Sequence, residues 1–313
     1  MTDGLKSLSS LVNSKQAIGI FKARRAGYPL VVSYGVGVDS TAMLIGLRSI
    51  GWRPDVILTS IPGNEKADTV RYLPIINEWC IEVGFPEIQF TRYVQQKFTF
   101  NTSHTIVGQC LANRTMPSVS FGRKSCSLKW KGDILDAFVT ALYGLRTCYR
   151  AIGYDCSKRD SRRFAIAKDK KARKRPMDIF GYPLQAWGWD RERCKSEILR
   201  AGLPLPVKSS CIICGAMKQP ELATLNREEL ITCVIVEANA AINNLVVAGL
   251  GRKWRFSDVI VRDGLLESEL VDHIWQEWDK PSNPITQQRD RSAEDILNDW
   301  LYFYLDIWDG LSF

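Results

Sequence analysis

Between Tyr28 and Tyr93 the chain alternates short β-rich runs with helical stretches: "YPLVVSY", then Ser40 to Ile50, "PDVILTS", Thr69 to Val83, and "EIQFTRY". This order builds βα units. A strand that is apolar at nearly every position is buried on both faces, and it needs a helical crossover before the next strand can run parallel to it. The breaks agree, because "GW" with Pro54 and "GFPE" at Gly84 to Glu87 each stop a helix and admit a strand. A further strand is expected in "TCYRAIGY", Thr147 to Tyr154, after a helical stretch from Gly132 to Leu145. The fold class is therefore α/β, a Rossmann-like parallel sheet, followed beyond Pro220 by a mostly helical, cysteine-bearing C-terminal part.

The first strand leads into "VVSYGVGVDSTAML", Val31 to Leu44, where a glycine turn is followed by a helix expected to start at Ser40. Such a junction gathers backbone N–H groups and a helix N-terminus around one point, which attracts phosphate. Two familiar glycine loops fail on spacing. No Gly-x4-Gly-Lys-Ser/Thr string occurs, and the dinucleotide fingerprint needs a glycine where Ser40 stands. A plain turn capped by Asp39 or Ser40 competes with the phosphate cradle.

At 313 residues and 45% hydrophobic, the chain can bury one large core or two smaller ones. No apolar run approaches the ~20 residues that span a bilayer, and "MTDGLKSLSSLVNSKQ" lacks a signal-peptide core, so a cytoplasmic location without membrane contact is expected. The net charge of +8 suits an anionic ligand without requiring one. Ten Lys or Arg lie between Asp155 and Arg175, a loop or exposed helix read either as a solvated face or as a polyanion contact.

Nine cysteines in a chain without an export signal point to free thiols rather than a disulfide framework. "KSSCIICGAMK" carries a CxxC, Cys211 and Cys214, which supplies two of the four ligands that a metal or iron–sulfur site needs. Cys126 in "GRKSCSLKWK" and Cys194 in "WDRERCKSEIL" stand in charged, non-core contexts and are the candidate partners. Cys80, Cys148 and Cys233 sit in apolar patterns and read as buried. With two histidines, His104 and His273, an all-cysteine site is favoured over a His-rich one, and a thiol redox pair remains the alternative. Lys124, Lys129 and Lys131 around Cys126 would hold an anion or form a solvated basic surface.

Taken together, "SYGVGVDSTAML", "GNEKADTVRYL", "FGRKSCSLKWK", "AIGYD", "WGWDRERC", "AGLPLPVKSSCIICGAMK" and "GLGRKWRFSD" resemble the phosphoadenosine phosphosulfate reductase-like family of PP-loop ATP pyrophosphatases. The resemblance is to its phage and bacterial branch, related to DNA-phosphorothioation sulfurtransferases. Gly37, Asp39 and Ser40 match the SGGxDS loop, Thr41 follows, Gly35 stands for the motif's serine and Val36 for its first glycine.

The resemblance implies an adenine nucleotide alpha-hydrolase-like sheet and three regions: an N-terminal helical extension (1–27), a PP-loop nucleotide-binding α/β domain (28–190), and a Cys-loop and helical C-terminal region (191–313). It implies an enzyme that binds ATP or a related adenine nucleotide with Mg2+, adenylates its substrate with pyrophosphate release, and supports sulfur transfer. A 4Fe-4S cluster, with Zn2+ as the alternative, would be held by Cys126, Cys194, Cys211 and Cys214. Ser33, Gly35, Gly37, Asp39, Ser40, Thr41, Gly63 and Glu65 would bind nucleotide, Asp39, Lys66 and Lys129 would act in catalysis, and Arg123, Lys124, Lys131, Tyr154, Arg162 and Arg163 would bind substrate. Implied partners are DNA or RNA as sulfur acceptor and a cysteine desulfurase or other sulfur donor, in the host cytoplasm for a phage-encoded chain.

Two departures shape the alternatives. The tail "IWDGLSF" holds no cysteine nucleophile for a phosphoadenylyl- or adenylyl-sulfate reductase, and no vicinal cysteines occur. A non-catalytic nucleic-acid-binding or accessory subunit is the reading from another class, carried by the basic run and ten tryptophans.

Overall fold

The computed structural model describes residues 27–94, 103–117, 119–120, 123–167, 174–243 and 247–307. The expected helical extension over 1–27 lies outside them apart from Gly27, as do positions 168–173 of the basic run and 308–313 of the tail. The strands are β1 (Leu30–Ser33), β2 (Val56–Ser60), β3 (Ile88–Thr91), β4 (Val119–Ser120), β5 (Arg123–Lys124), β6 (Tyr149–Ile152) and β7 (Ile179–Gly181). Five form one all-parallel sheet in the order β3-β2-β1-β6-β7, and β4 pairs antiparallel with β5. The α/β Rossmann-like class expected from the βα alternation is the one observed.

The chain folds as two compact units. A sheet unit holds residues through Ser60, Asp68–Thr91 and Asp133–Ser209; a second unit holds Ile61–Ala67, Arg92–Gly132 and Ser210–Phe313. The helix Arg191–Arg200 packs on the helix Val38–Ser49 and so belongs with the sheet. A linear reading cannot see this, because composition does not shift where the chain leaves one core and re-enters it.

Period-two alternation sorts the strand residues onto two faces. Leu30, Val32 and Ile57 join one core with the helices Val38–Ser49, Ala67–Glu82 and Arg191–Arg200, while Val31, Val56 and Leu58 join another with Val139 of the helix Asp133–Tyr143. Gly46 lets the first of these helices meet the ring of Trp187, which a Cβ would overlap. Gly46→Ala is expected to destabilise the sheet unit by about 1–3 kcal/mol through overpacking, read from urea unfolding.

The second unit is built around the helix Arg227–Ala241, in which every residue from Glu229 to Ala240 is buried. A helix enclosed on all sides must also account for its polar groups. Glu237 accepts hydrogen bonds from the N–H groups of Leu250, Phe256 and Ser257 and from the Ser257 hydroxyl. Among the described residues no helix is long and apolar enough to cross a membrane.

Candidate functional site

In the sheet unit, β1 has β2 on one side and β6 on the other, and the β2 and β6 branches lead away in opposite directions along the sheet. Open parallel sheets bind ligands at such a switch point, outside the strand C-termini. Ser33 ends β1, and after it Val36 adopts φ +53°, in the left-handed region that a β-branched residue rarely enters. Val36 thus holds a glycine-like turn at the place where the resembled loop has glycine, and such strain gathers at functional positions.

The helix begins at Val38, two residues before the expected start, with Gly37 as extended N-cap. The Gly37 N–H donates to Ser40 Oγ at 3.2 Å, and that hydroxyl donates back to the Gly37 carbonyl at 3.1 Å. Val38 and Asp39 lie in the first turn, where helix amides have no internal partner. Gly153, just past β6, lets the chain approach this turn: a Cβ there would stand 3.0 Å from the Asp39 carbonyl and Ser40 Cα. Thr41 is fully buried, with its hydroxyl bonded to Tyr34 at 3.0 Å. That contact ties the first turn of the helix to the residue that follows β1.

Asp39, Asp155 and Asp160 each place a carboxylate oxygen within 4.8 Å of the others, the one acidic, thiol or imidazole group this tight among the described residues. Local turns set two of them: Asp155 accepts from Ser157 N–H at 2.9 Å, and Ser157 Oγ accepts from Asp160 N–H at 3.4 Å. Burial pushes the Asp39 carboxyl up, Arg191 opposes this, and Asp155 and Asp160 add to it. Arg191 pairs with Asp39 at 2.6 Å, and Arg159 and Arg163 pair with Asp160 at 3.0 and 3.2 Å. Asp160 is fully buried, yet its Oδ2 has no hydrogen-bond partner. Converging hard oxygens with one orphaned lone-pair set fit a divalent cation.

Beside them Tyr154 stacks on Tyr182 with ring centroids 5.4 Å apart, and the Arg163 guanidinium lies 4.5 Å over Tyr154. Arg162 is exposed. The end of the basic run is less open than its composition suggests. Arg175 is buried and paired with Asp178, and Lys174 pairs with Asp133. Arg175 is thus a structural cation, a correction to its reading as part of a solvated or polyanion-binding stretch.

The second unit gathers thiols. Cys211 and Cys214 share a tight turn, with Cys214 N–H donating to Cys211 O at 3.2 Å. A hydrogen bond with Cys214 and burial hold the Cys211 thiol well above its ordinary pKa; Lys131 opposes this and Cys126 adds to it. Cys110, which sequence reasoning passed over, lies near Cys126, and burial pushes its thiol up to about 12. Glu65 forms an antiparallel bridge with Cys211, fixed by Ile212 N–H donating to Asn64 O at 3.0 Å.

Lys129 rests over the rings of Tyr93 and Trp130, at 4.8 and 5.4 Å. Lys66 is buried and donates to Thr224 Oγ1 at 3.2 Å. Gly63 turns with φ +77° against Thr105. Arg123 and Lys124 form β5, with side chains outside the described residues.

Cys194 differs from its expectation. It is fully buried in the core of the sheet unit, and burial pushes its thiol far up. The charged neighbours Arg193 and Lys195 occupy the outer face of its helix, while Cys194 and Ile198, four residues apart, share the inner one. Cys80, Cys148 and Cys233 are buried as expected.

No protein-family model matches the chain, and no curated protein matches it. Reading motifs alone also missed Asp155, Asp160, Arg191 and Tyr182. The signal for the first two was "DCSKRD", an Asp, a Ser and a second Asp at turn and helix-cap spacing.

Proposed function

We propose that this chain is an enzyme that binds ATP or a related adenine nucleotide over the C-terminal ends of β1 and β6, adenylates an oxygen of its substrate and releases pyrophosphate, and supports sulfur transfer with an iron–sulfur cluster. One observation carries the nucleotide half. A strained glycine-like turn, a helix N-terminus and three convergent carboxylates meet at the switch point of a parallel sheet. The first-turn amides of Val38 and Asp39 donate to phosphate oxygens, and Arg163 and Arg191 offset the charge that grows on them. Asp39, Asp155 and Asp160 would hold Mg2+, which supplies further charge neutralisation. The substrate oxygen bonds to the α-phosphorus as the bond to the bridging oxygen breaks, and the electron pair leaves with pyrophosphate.

Cys126, Cys211 and Cys214 supply three thiolates of a cluster site. Zn2+ on the same thiolates is the alternative. Bound there, a cluster supplies electron transfer or a soft site for sulfur. Because Cys211 is held protonated, loading releases protons.

Calorimetric titration is expected to show ATP binding about tenfold tighter or more with Mg2+ than without it; the nucleotide reading falls with no ATP binding. Anaerobically prepared protein is expected to be brown, with broad absorption near ~400 nm. Colourless protein with stoichiometric zinc replaces the cluster by a structural metal.

A further inference from the structure

We propose that Glu65 is the fourth ligand, and the single oxygen donor, of the metal centre whose thiolates come from Cys126, Cys211 and Cys214; this rests on the cluster reading above. Both carboxylate oxygens of Glu65 are buried, and no hydrogen bond of good geometry reaches either; the nearby Glu65 and Gly63 amides act on the carboxylate without closing such a bond. A carboxylate withdrawn from water is among the costliest groups to bury, and such charges persist where they are paired or coordinate a metal. Lys131 acts on it, but the same lysine also acts on Cys211, so one cation serves an acid and a thiol pair. The bridge that pairs Glu65 with Cys211 sets the two residues directly opposite each other. In that arrangement their side chains leave the backbone on the same side, with Cβ atoms about 4.5–5.5 Å apart. The Ser210 hydroxyl, next in chain to Cys211, is also buried without a partner. Two orphaned oxygen groups therefore border the thiols.

The competing fourth ligand is Cys110. It packs within the apolar core of the second unit, among Ile106, Val107 and Leu111. A neutral thiol is stable there with no metal at all, whereas a buried carboxylate calls for a cation or further donors. Cys194 lies in the core of the sheet unit.

The test uses the full chain reconstituted anaerobically with ferrous iron and sulfide, comparing iron content with the electron paramagnetic resonance of the reduced protein. Wild type is expected to carry about four irons. E65Q is expected to fall to about three with a changed resonance, E65C to restore about four, and C110S to match wild type. E65D, which keeps the carboxylate on a shorter arm, is expected to retain iron and shift the resonance; it reads the same point should E65Q fold poorly. A wild-type spectrum and iron content in both E65Q and E65D overturn the assignment, as does iron loss in C110S with none in E65Q. Wild type that takes up no iron overturns the cluster reading and Glu65 together, whereas the preceding outcomes overturn Glu65 alone.

Discussion

Gly37→Val is expected to weaken ATP binding about a hundredfold while leaving the sheet unit folded. Gly37 has φ −129° and ψ 173°, extended backbone that any residue can adopt, so the substitution introduces no conformational strain. Its Cβ would meet Ser209 Oγ at 2.9 Å, the end of a short side chain that can rotate aside. What the branched side chain removes is room at the turn, where backbone must come within hydrogen-bond distance of phosphate. Charge-assisted hydrogen bonds contribute about 1.5–3 kcal/mol each, so loss of one or two accounts for the predicted drop. Ser40→Ala, which removes the hydroxyl exchanged with Gly37, is expected to cost about tenfold. Calorimetry with circular dichroism separates binding from folding, and unchanged affinity in both variants would sink the phosphate-cradle assignment. Gly37→Ala combined with Ser209→Gly isolates the contact: recovery of affinity assigns the loss to Ser209, and continued loss assigns it to the phosphate.

Asp178→Ala is expected to destabilise the sheet unit by about 3–5 kcal/mol, the range for removing one partner of a buried ion pair. Asp178 receives Arg150 at 3.3 Å, Arg175 Nε at 2.9 Å and the Cys148 N–H at 3.2 Å, and all three of its ionic and amide partners are buried. Arg150 retains Asp136 at 3.0 Å, but Arg175 loses its only acid among the described ion pairs. One buried guanidinium is then left without a carboxylate away from water. Urea unfolding of the variant and wild type measures the difference, and a change below about 1 kcal/mol, the range of an exposed pair, contradicts the buried-network account. Arg150→Met with Asp178→Leu, by contrast, removes both charges and is expected to cost less than Asp178→Ala alone.

Several features were decided by the sequence itself. Doubly buried strands separated by helix-length segments admit a parallel sheet and little else, and the glycine turn before Asp39 marks where the first strand hands over to a helix. Apolar spacing likewise fixed Cys80, Cys148 and Cys233 as buried, because periodicity is a local property that a linear reading can follow. The tertiary structure alone decided which distant residues meet. Asp155 and Asp160 join Asp39 because β6 lies beside β1, a neighbour relation set by the order of strands rather than by separation along the chain. Cys194 went into a core because only one face of its helix touches the sheet unit, and a count of charged neighbours averages over both faces. Arg175 was drawn inward by Asp178, the Thr140 hydroxyl and the carbonyls of Gly144 and Arg146, and Glu65 came opposite Cys211 through a single bridge between segments about 146 residues apart. Local propensity and patterning are written residue by residue, whereas burial of a charge or convergence of ligands depends on which surfaces pack together, and that is settled only by the folded chain.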